Sequence, residues 1–288
     1  MNRYKHLFPV EKMARVLKVS KSSYYYWQNQ QVGKWQRVND PIIAQIRSIH
    51  TESRETFGSP RISEELRKQG LSVSRPRVAR LMRRAGIRSI LRKKYVITTD
   101  STKTVRRFDN LVDRNFTPGQ LGRIWVSDIT YIATQQGWSY LTTIIDIGDR
   151  KVIGWRLSRS MQAIDTVLPA WRSALATRPL TGPLIFHSDQ GVQYGCDALK
   201  DEVSKDKRVA QSMSRRGNCW DNAVAESFFK TLKSEWTNRF VYRDHEQAEL
   251  SVFDYIESFY NTKRLHSSLG YVSPDEYAAQ QLTKTNAA

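Results

Sequence analysis

Three carboxylates lie far apart along the chain, at points where predicted secondary structure begins, ends or is interrupted. Asp128 interrupts the strand pattern RIWVSDITYIAT, Asp189 ends the buried strand pattern LIFHSD, and Glu226 falls in the first turns of a predicted helix. A charge in the middle of a strand is costly unless it is paired, hydrogen-bonded or bound to a metal. Strand ends and helix starts can meet at one sheet edge. The three residues are therefore candidates for one shared site.

Such a site would be built from oxygen ligands alone, because its members include no His or Cys. Oxygen-only sites suit Mg²⁺ or Mn²⁺ better than zinc. Two such ions about 3.5 to 4 Å apart can activate an attacking oxygen and stabilise the leaving oxygen of a phosphodiester. The residue types thus favour metal-dependent phosphate chemistry, with Asp128, Asp189 and Glu226 as catalytic residues and metal ligands.

Each carboxylate also has a structural interpretation. Asp128 could be a strand residue satisfied by a neighbour, Asp189 could form an Asx turn, and Glu226 could pair with Lys230 on a solvated helix face. Spacing alone leaves these alternatives open. In the functional interpretation, Lys230 and Lys233 follow Glu226 by one and two helical turns and would contact phosphates beside the site.

Other titratable residues compete for the same roles. Asp146 and Asp149 lie in IDIGDRK, which is typical of a turn between strands and disfavours metal binding. His187 shares a strand face with Asp189 and could orient a ligand or a water molecule, but the pattern favours a hydrogen-bonded core histidine. Cys196 and Cys219 form no CxxC pair, which predicts neither a disulfide nor a zinc site.

The charge of the chain predicts a polyanionic partner. The net charge is +18, and it is concentrated at the front: residues 1–120 contain 26 Lys and Arg against 9 Asp and Glu, whereas residues 121–288 contain 20 against 19. Nucleic acid is the usual partner of such a surface. A membrane is disfavoured because no basic amphipathic helix is long enough. Since no long apolar run or signal peptide is present, we expect a cytoplasmic protein.

The front of the chain has the periodicity of helices. Residues 1–38 predict a small helical segment resembling a helix-turn-helix, and residues 39–91 predict a second such module. Its helices should run from about Pro41 to His50, from Ile62 to Gln69, and onward from Ser74. The third has one apolar face and one basic face, and the basic face would contact DNA. The basic residues are Arg77, Arg80 and Arg84.

An aperiodic basic linker is predicted for residues 92–118, and the pattern then changes to that of an α/β core. Three successive strands, which we expect to pair as an antiparallel meander, are followed by alternating helices and strands. This order predicts a mixed sheet with flanking helices. One predicted helix spans about Ala163 to Ala176, and Asp221 could cap the helix that carries Glu226. Near the C-terminus, a long helix should pack through Leu250, Phe253, Ile256 and Phe259 or Tyr260.

Several long motifs resemble one family throughout the chain. They are WVSDITYI, HSDQGVQY, SRRGNCWDNAVAESFFKTLKSE and FYNTKRLHSSLGYVSPDEY, with VSKSSYYYW near the N-terminus. These motifs resemble the insertion-sequence-3 family of transposases, and specifically the second-reading-frame product with a retroviral-integrase-like core. The resemblance implies a ribonuclease-H-like five-stranded catalytic core at residues 119–236 and a helical extension at 237–288.

The resemblance also implies a function and its residues. Asp128, Asp189 and Glu226 match the family's DDE motif, which implies Mg²⁺-dependent cleavage at the ends of a bacterial insertion element. The freed 3′-hydroxyl would then attack a second DNA phosphate, in a strand-transfer step. Partners implied are double-stranded DNA, at least one further copy of the chain, and the upstream-frame protein, to which this product is often fused. Its location would be the cytoplasm, on the nucleoid when DNA is bound.

One departure from the family pattern affects the site. Asp189 and Glu226 enclose 36 residues, one more than is common in the family, with the excess in KDEVSKDKR. A loop could absorb the extra residue, whereas a shift of the following strand would impair the site. Two other functions stay open at this point: a DNA-binding accessory protein with an unused site, and a metal-dependent nuclease without strand transfer.

Overall fold

The computed structural model describes residues 1–28, 34–90, 108–215 and 218–286. The chain divides into two compact units, Met1–Arg88 and Ser89–Ala288, and each is described by itself. The predicted basic linker, 92–118, lies outside the described residues as far as residue 107. Among the described residues, none of the helices combines the length and the apolar character needed to cross a membrane.

In the described part of the first unit, the regular secondary structure is helical. Its five α-helices are α1 Val10–Val16, α2 Lys21–Gln28, α3 Lys34–Glu52, α4 Ser59–Lys68 and α5 Arg75–Arg84. Helices α3, α4 and α5 pack around one small core of buried apolar side chains: Ile46, Ile49, Ile62, Leu66, Val78, Leu81 and Met82. The predicted apolar face of α5 is thus confirmed, and Pro76 lies in its first turn as expected.

The prediction that α3 starts near Pro41 is wrong. The helix begins at Lys34 and contains Pro41 in its interior. Proline cannot donate the backbone hydrogen bond of that helical turn. The buried Asn39 side chain donates to the Trp35 carbonyl oxygen at 2.7 Å and accepts from Arg77 Nη2 at 3.0 Å. These bonds stabilise the turns before the proline.

The second unit contains a five-stranded mixed sheet, which confirms the predicted α/β class. Its strands are β1 Ile124–Thr134, β2 Gly137–Asp146, β3 Val152–Ser158, β4 Leu184–Ser188 and β5 Val209–Met213. The strand order is β3-β2-β1-β4-β5. The pairs β1–β2 and β2–β3 are antiparallel, whereas β4 runs parallel to both β1 and β5. The predicted antiparallel meander and the predicted mixed sheet are therefore confirmed.

Helices cover both faces of this sheet. Helix α6, Val167–Thr177, packs on β3 and β2, and α8, Ala223–Glu235, packs on β1 and β2. Helix α6 begins at Val167, later than the predicted Ala163. In the turn before it, the Gln162 carbonyl oxygen accepts hydrogen bonds from the Thr166 amide and hydroxyl. Trp125 belongs to the core beneath α6. Since strand side chains alternate, Asp128 faces the opposite side of the sheet.

Gly154 on β3 allows α6 to approach the sheet closely. A Cβ atom at this position would lie 2.3 Å from the Ala170 carbonyl oxygen and 2.7 Å from the Ala174 amide nitrogen. Both are backbone atoms of α6, which cannot move aside as a flexible side chain could. We expect Gly154→Ala to destabilise the second unit by about 2 to 3 kcal/mol in urea unfolding.

Gly119→Ala is the matched control for this prediction. No atom lies within 4 Å of a Cβ built at Gly119, and we expect a change of about 0.5 kcal/mol or less. Equal stability of the Gly154→Ala protein and the unaltered chain would show that α6 does not contact β3 as closely as described.

The C-terminal region packs differently from the prediction. Helix α9, His245–Tyr255, continues into a π-helical turn, Ile256–Tyr260, before α10, Pro274–Asn286. Leu250 is 72% exposed and Phe253 is 52% exposed, so their predicted burial is wrong. Within α9 and the π-helical turn, the buried side chains are Ala248, Val252, Tyr255, Ile256, Phe259 and Tyr260.

Helical geometry explains this correction. Ala248, Val252 and Tyr255 are spaced by four and three residues and therefore form one stripe, whereas Leu250 lies on the opposite side of the helix. The π-helical turn then shifts the periodicity, so that both Phe259 and Tyr260 are buried. The prediction that Ile256 packs inward is confirmed.

Candidate active site

Asp128 and Asp189 lie side by side on neighbouring parallel strands. The last register pair between β1 and β4 joins Ser127 to Ser188, so the next residue on each is an aspartate. Strand β4 ends there, whereas β1 continues to Thr134. Both aspartates are half-buried. The carboxyl end of β4 therefore brings two of the predicted site residues together.

Glu226 is exposed in the first turn of α8, which packs on β1. Asn222, the residue before α8, donates from Nδ2 to the Ser127 carbonyl oxygen at 3.2 Å. Because Ser127 precedes Asp128, this bond holds the start of α8 beside the first aspartate. The sequence interpretation missed Asn222, because its partner Ser127 lies 95 positions earlier in the chain and no local pattern marks the contact.

The three carboxylates influence one another's ionisation. Burial raises the pKa of Asp128 to about 8, and the charges of Asp189 and Glu226 add to the increase. A hydrogen bond from the Ile129 amide and the charge of Lys233 lower the pKa of Asp128 in part. Burial also raises the pKa of Asp189 and of Glu226, and the charge of Asp189 raises that of Glu226 further. The side chains thus repel one another across β1, β4 and α8.

The carboxylates are neighbours without forming a closed coordination shell. In the part of the chain that the structure describes, no three His, Cys, Asp or Glu side chains are grouped closely enough to hold a metal ion. Asp128 Oδ1 accepts from the Ile129 amide at 2.8 Å, and Asp189 Oδ1 accepts from the Gly191 amide at 3.0 Å. Repulsion between like charges favours such separate backbone partners.

The two lysines of α8 differ in environment. Lys230 is exposed, whereas Lys233 is half-buried. Burial lowers the pKa of Lys233, and the nearby charge of Asp128 opposes that decrease. Lys233 is therefore close enough to Asp128 to reduce the repulsion among the carboxylates, a role that the helical spacing did not predict.

His187 is a fully buried core residue, as the sequence interpretation favoured. Its Nδ1 shares a 2.8 Å hydrogen bond with Ser212 Oγ, and its Nε2 lies 2.9 Å from the Asp221 carbonyl oxygen. Ser214 Oγ lies 3.2 Å from the same Nε2. The imidazole thereby joins β4, the end of β5 and the turn before α8. It positions the two elements that carry Asp189 and Glu226.

The prediction that Asp221 caps α8 is wrong. Asn222 occupies the N-cap position without a side-chain capping bond. The Asp221 carboxylate is buried and instead accepts bonds from Arg215 Nε at 2.8 Å and from Arg114 Nε at 3.1 Å. These bonds hold the pKa of Asp221 well below its ordinary value, chiefly through the Arg215 side chain. Two guanidinium groups compete more strongly for the carboxylate than a helix N-terminus does.

Tyr194 is a second residue that the sequence interpretation missed. It is buried, and its hydroxyl lies 2.8 Å from Ser127 Oγ. Since Ser127 donates its own proton to the Thr143 carbonyl oxygen at 2.9 Å, Tyr194 is the donor in this bond. The pKa of Tyr194 is raised well above its ordinary value by burial and by the charges of Asp128 and Asp189. The sequence feature that could have indicated a role for Tyr194 is its position in the motif HSDQGVQY.

The rival carboxylates have structural roles. Asp146 and Asp149 are buried and both form ion pairs with Arg178. Asp146 also accepts hydrogen bonds from the backbone amides of Gly122 at 2.6 Å and Gly148 at 2.8 Å. Asp146 pairs in register with Trp125, three residues before Asp128 on β1. Asp146 and Asp149 therefore fix the turn between β2 and β3, which confirms the turn prediction.

The extra residue before Glu226 does not disturb the sheet. Strand β5 pairs with β4 without a break from Val209 opposite Leu184 to Met213 opposite Ser188. The charged stretch before β5 forms the end of α7, Asp197–Val203, and a tight turn in which the Val209 amide bonds to the Asp206 carbonyl oxygen at 3.0 Å. The pairing of β5 with β4 is therefore continuous after the charged stretch.

The predicted DNA-contacting arginines of α5 have different surroundings. Arg80 is exposed. Arg77 Nη2 bonds to Asn39, and the Arg84 guanidinium stacks 3.9 Å from the ring centroid of Trp35. Arg77 and Arg84 are thus held by α3, whereas Arg80 projects from the same helix into solvent.

Comparison with known protein families matches three parts of the chain. Residues 119–219 match an integrase core domain family, residues 207–274 match a second integrase core domain family, and residues 37–95 match an HTH-like domain family. Together with the mixed sheet and its flanking helices, the integrase core match confirms a ribonuclease-H-like fold.

Similar proteins extend over nearly the whole chain. One is the insertion element IS600 uncharacterized 31 kDa protein of Shigella sonnei, 35% identical over 91% of this chain and 96% of that protein. Another is transposase InsF for insertion sequence IS3A of Escherichia coli strain K12, 34% identical over 96% of each chain. Among solved structures, the HTLV-2 integrase catalytic core domain in complex with magnesium is similar at a TM-score of 0.43 and 13% identity, over 55% of this chain and 98% of that one.

Proposed function

Because this chain belongs to the IS3 family of transposases, we propose that Asp128, Asp189 and Glu226 are the catalytic residues with which it cleaves and joins DNA. The observation that carries the proposal is the register of β1 and β4, which makes Asp128 and Asp189 neighbours. The Asn222 bond to Ser127 adds the start of α8, and with it Glu226, to the same edge.

The donor chemistry of this edge fits a divalent cation. Three mutually repelling carboxylates, with pKa values raised by burial and by one another, would be stabilised by positive charge between them. Asn222 Oδ1 is a buried acceptor without a hydrogen-bond partner in the described part of the chain. We propose that Asp128, Asp189 and Glu226 hold Mg²⁺ or Mn²⁺, two ions in the complete site. When bound, such ions supply an activated oxygen nucleophile and stabilise the leaving oxygen.

The reaction that this site supports has two steps. A water oxygen first forms a bond to phosphorus at the element's end, and the bond from phosphorus to the 3′-oxygen breaks. That freed 3′-hydroxyl then attacks a phosphodiester of target DNA and displaces its 3′-oxygen. Lys230 and Lys233 follow Glu226 along α8 and contact the DNA backbone beside the reacting phosphate.

The first unit binds the duplex through α5. We propose that Arg80 contacts DNA directly, because it projects into solvent from the basic face. Arg77 and Arg84 contact the same surface while Asn39 and Trp35 fix their orientation. Residues 39–91 thereby recognise the terminal repeats, residues 92–118 connect the modules, and residues 119–236 carry out the chemistry. Two ends must be brought together, which requires at least a dimer, with the upstream-frame protein as a further partner.

The proposal is tested by cleavage and joining of labelled duplexes that carry the element's terminal repeats. The unaltered chain, alone and fused to the upstream-frame protein, is compared with Glu226→Gln in the presence of Mg²⁺. We expect Glu226→Gln to lose both activities by about a thousandfold or more, because it removes one of three charged ligands. Asp201→Asn, which neutralises another exposed helical carboxylate of the second unit, should retain both.

Each result has a definite meaning. Retained activity in Glu226→Gln would refute the assigned site. Cleavage without joining by the unaltered chain and its fusion would identify a nuclease, and end-specific binding without either activity would identify an accessory protein.

A further inference from the structure

The turn before α8 holds one large aromatic ring in solvent, directly before two buried and hydrogen-bonded residues. This 3₁₀ turn, Cys219–Asn222, contains Trp220, which is 67% exposed. The two residues that follow it, Asp221 and Asn222, are 1% and 3% exposed. Single exposed apolar residues are common on protein surfaces. The position of Trp220 is more informative, because the turn that carries it is fixed to every neighbouring element of the candidate site.

Polar contacts fix the backbone on both sides of the ring. Asn218 Oδ1 accepts from the Trp220 amide at 3.2 Å. The Asp221 carbonyl oxygen contacts His187, and Asn222 bonds to Ser127, next to Asp128. The turn is therefore joined to both aspartate-bearing strands, and movement of the Trp220 backbone is restricted.

Two arginines bind the Asp221 carboxylate of this turn, and Arg215 also pairs with Asp113 at 3.3 Å. Arg114 and Arg215 bond to the buried Asp221 carboxylate, yet each side chain is about half exposed, at 50% and 51%. Arg114 and its neighbour Asp113 both adopt positive φ angles, 61° and 39°, which are uncommon for residues other than glycine. The backbone is therefore strained at Arg114, whose side chain bonds to Asp221. Asp221 orients both guanidinium groups while leaving part of each accessible.

We propose that Trp220 stacks on an unpaired base at the end of the DNA strand that is cut, while Arg114 and Arg215 contact the adjoining backbone. This inference rests on the proposed function, which places the reacting phosphate at the three carboxylates. Aromatic faces bind bases of any sequence by stacking, and nearby cations bind the phosphates.

The spacing is compatible with this arrangement. Glu226 follows Trp220 by six residues, two steps along the 3₁₀ turn and four along the α-helix, which is roughly 10 Å along the axis. Duplex DNA advances about 3.4 Å per nucleotide of each strand. The stacked base therefore lies within about three nucleotides of the reacting phosphate. In an intact duplex only the terminal pair presents a base face, so the ring selects a frayed or unpaired end.

Binding of two fluorescently labelled terminal-repeat duplexes by the full chain tests the inference. One duplex is fully paired, and the other has two unpaired nucleotides at the cleaved end; EDTA keeps both intact. We expect Trp220→Ala to weaken binding of the unpaired-end duplex about tenfold and of the paired duplex less than about twofold. Trp220→Phe, which retains an aromatic face, should stay within about threefold of the unaltered chain. The salt dependence of binding should not change, because the ring contacts no phosphate.

Trp138→Ala is the matched control, since Trp138 is 61% exposed on β2 of the same unit. Unchanged binding by Trp220→Ala, an equal loss on both duplexes, or an equal loss in Trp138→Ala would overturn the inference. Failure of the inference is distinguishable from failure of the proposed function. If Trp220→Ala binds both duplexes as the unaltered chain does while Glu226→Gln is inactive, only the stacking role of Trp220 is refuted. If Glu226→Gln cleaves DNA as well as the unaltered chain does, the assignment of the catalytic site is refuted.

Discussion

Replacement of Asp128 by Asn is expected to abolish DNA cleavage and, at the same time, to stabilise the folded protein at pH 8. The loss of activity follows from the proposed site, in which Asp128 is a ligand that neutral Asn replaces poorly. The gain in stability follows from the surroundings of Asp128, where burial and the charge of Asp189 raise its pKa to about 8. Asn has nearly the same shape and carries no charge.

The stabilisation should depend on pH in a defined direction. A carboxyl with a raised pKa keeps its proton in the folded chain at pH values where the unfolded chain has released it. The contribution of Asp128 to stability therefore falls as pH rises from about 4 to about 8, and the loss is complete above the folded-state pKa. We expect the free energy of unfolding of Asp128→Asn to exceed that of the unaltered chain by about 2 kcal/mol at pH 8 and by a smaller amount at pH 5.

Thermal unfolding at pH 5 and pH 8, with and without Mg²⁺, measures this effect. Mg²⁺ should raise the unfolding temperature of the unaltered chain, because an ion that binds only the folded state stabilises it. The same addition should leave Asp128→Asn nearly unchanged. Asp201→Asn should respond as the unaltered chain does, since Asp201 is exposed. An Asp128→Asn protein that is less stable than the unaltered chain at pH 8 would contradict the repulsion among the carboxylates.

The neighbouring positions of Asp128 and Asp189 could be predicted from local patterns. β-branched and aromatic runs mark β1 and β4, and a polar residue that ends a buried strand lies at the edge of a sheet. These signals are local, because each depends on the residue types at a few consecutive positions. The residue types also indicated the ligand chemistry, because oxygen-only donors suit few ions.

Contacts between distant segments could not be predicted in the same way. Arg114 reaches Asp221 across 107 positions of the sequence, and Asn222 reaches Ser127 across 95. No local pattern distinguishes an Asp that caps a helix from one that binds two arginines. The exposure of Leu250 has the same origin, since tertiary packing of α9 selected a different stripe from the one that apolar spacing suggested.

The last turn of α8 depends on such a contact, and we expect its removal to have the largest effect on stability. Glu235 is fully buried and accepts bonds from Arg264 Nε at 2.8 Å and Nη2 at 2.7 Å. Tyr255 donates to the same carboxylate at 2.8 Å. Glu235→Gln preserves the shape of the side chain but leaves the buried Arg264 cation without a balancing charge. This change should cost about 3 to 5 kcal/mol of unfolding free energy.

Urea unfolding with two further variants separates burial from charge pairing. Glu246→Gln disrupts the ion pair with Arg159, whose side chains are 63% and 64% exposed, and should cost about 1 kcal/mol or less. The double variant Glu235→Met with Arg264→Met removes both buried charges and should recover much of the stability lost in Glu235→Gln. Similar costs for Glu235→Gln and Glu246→Gln would contradict the buried pair.

A comparison of Glu235→Gln with Glu226→Gln distinguishes a residue that positions α8 from a residue that takes part in the chemistry. Glu235 lies nine residues after Glu226 on α8, and its partner Arg264 follows the π-helical turn of the C-terminal region. Residues beyond 236 therefore anchor the helix that carries a proposed ligand. Glu235→Gln should cleave DNA at temperatures where it remains folded and lose activity in parallel with unfolding, whereas Glu226→Gln should be inactive while fully folded. Loss of cleavage by folded Glu235→Gln would instead mean that the ion pair sets the position of Glu226 directly.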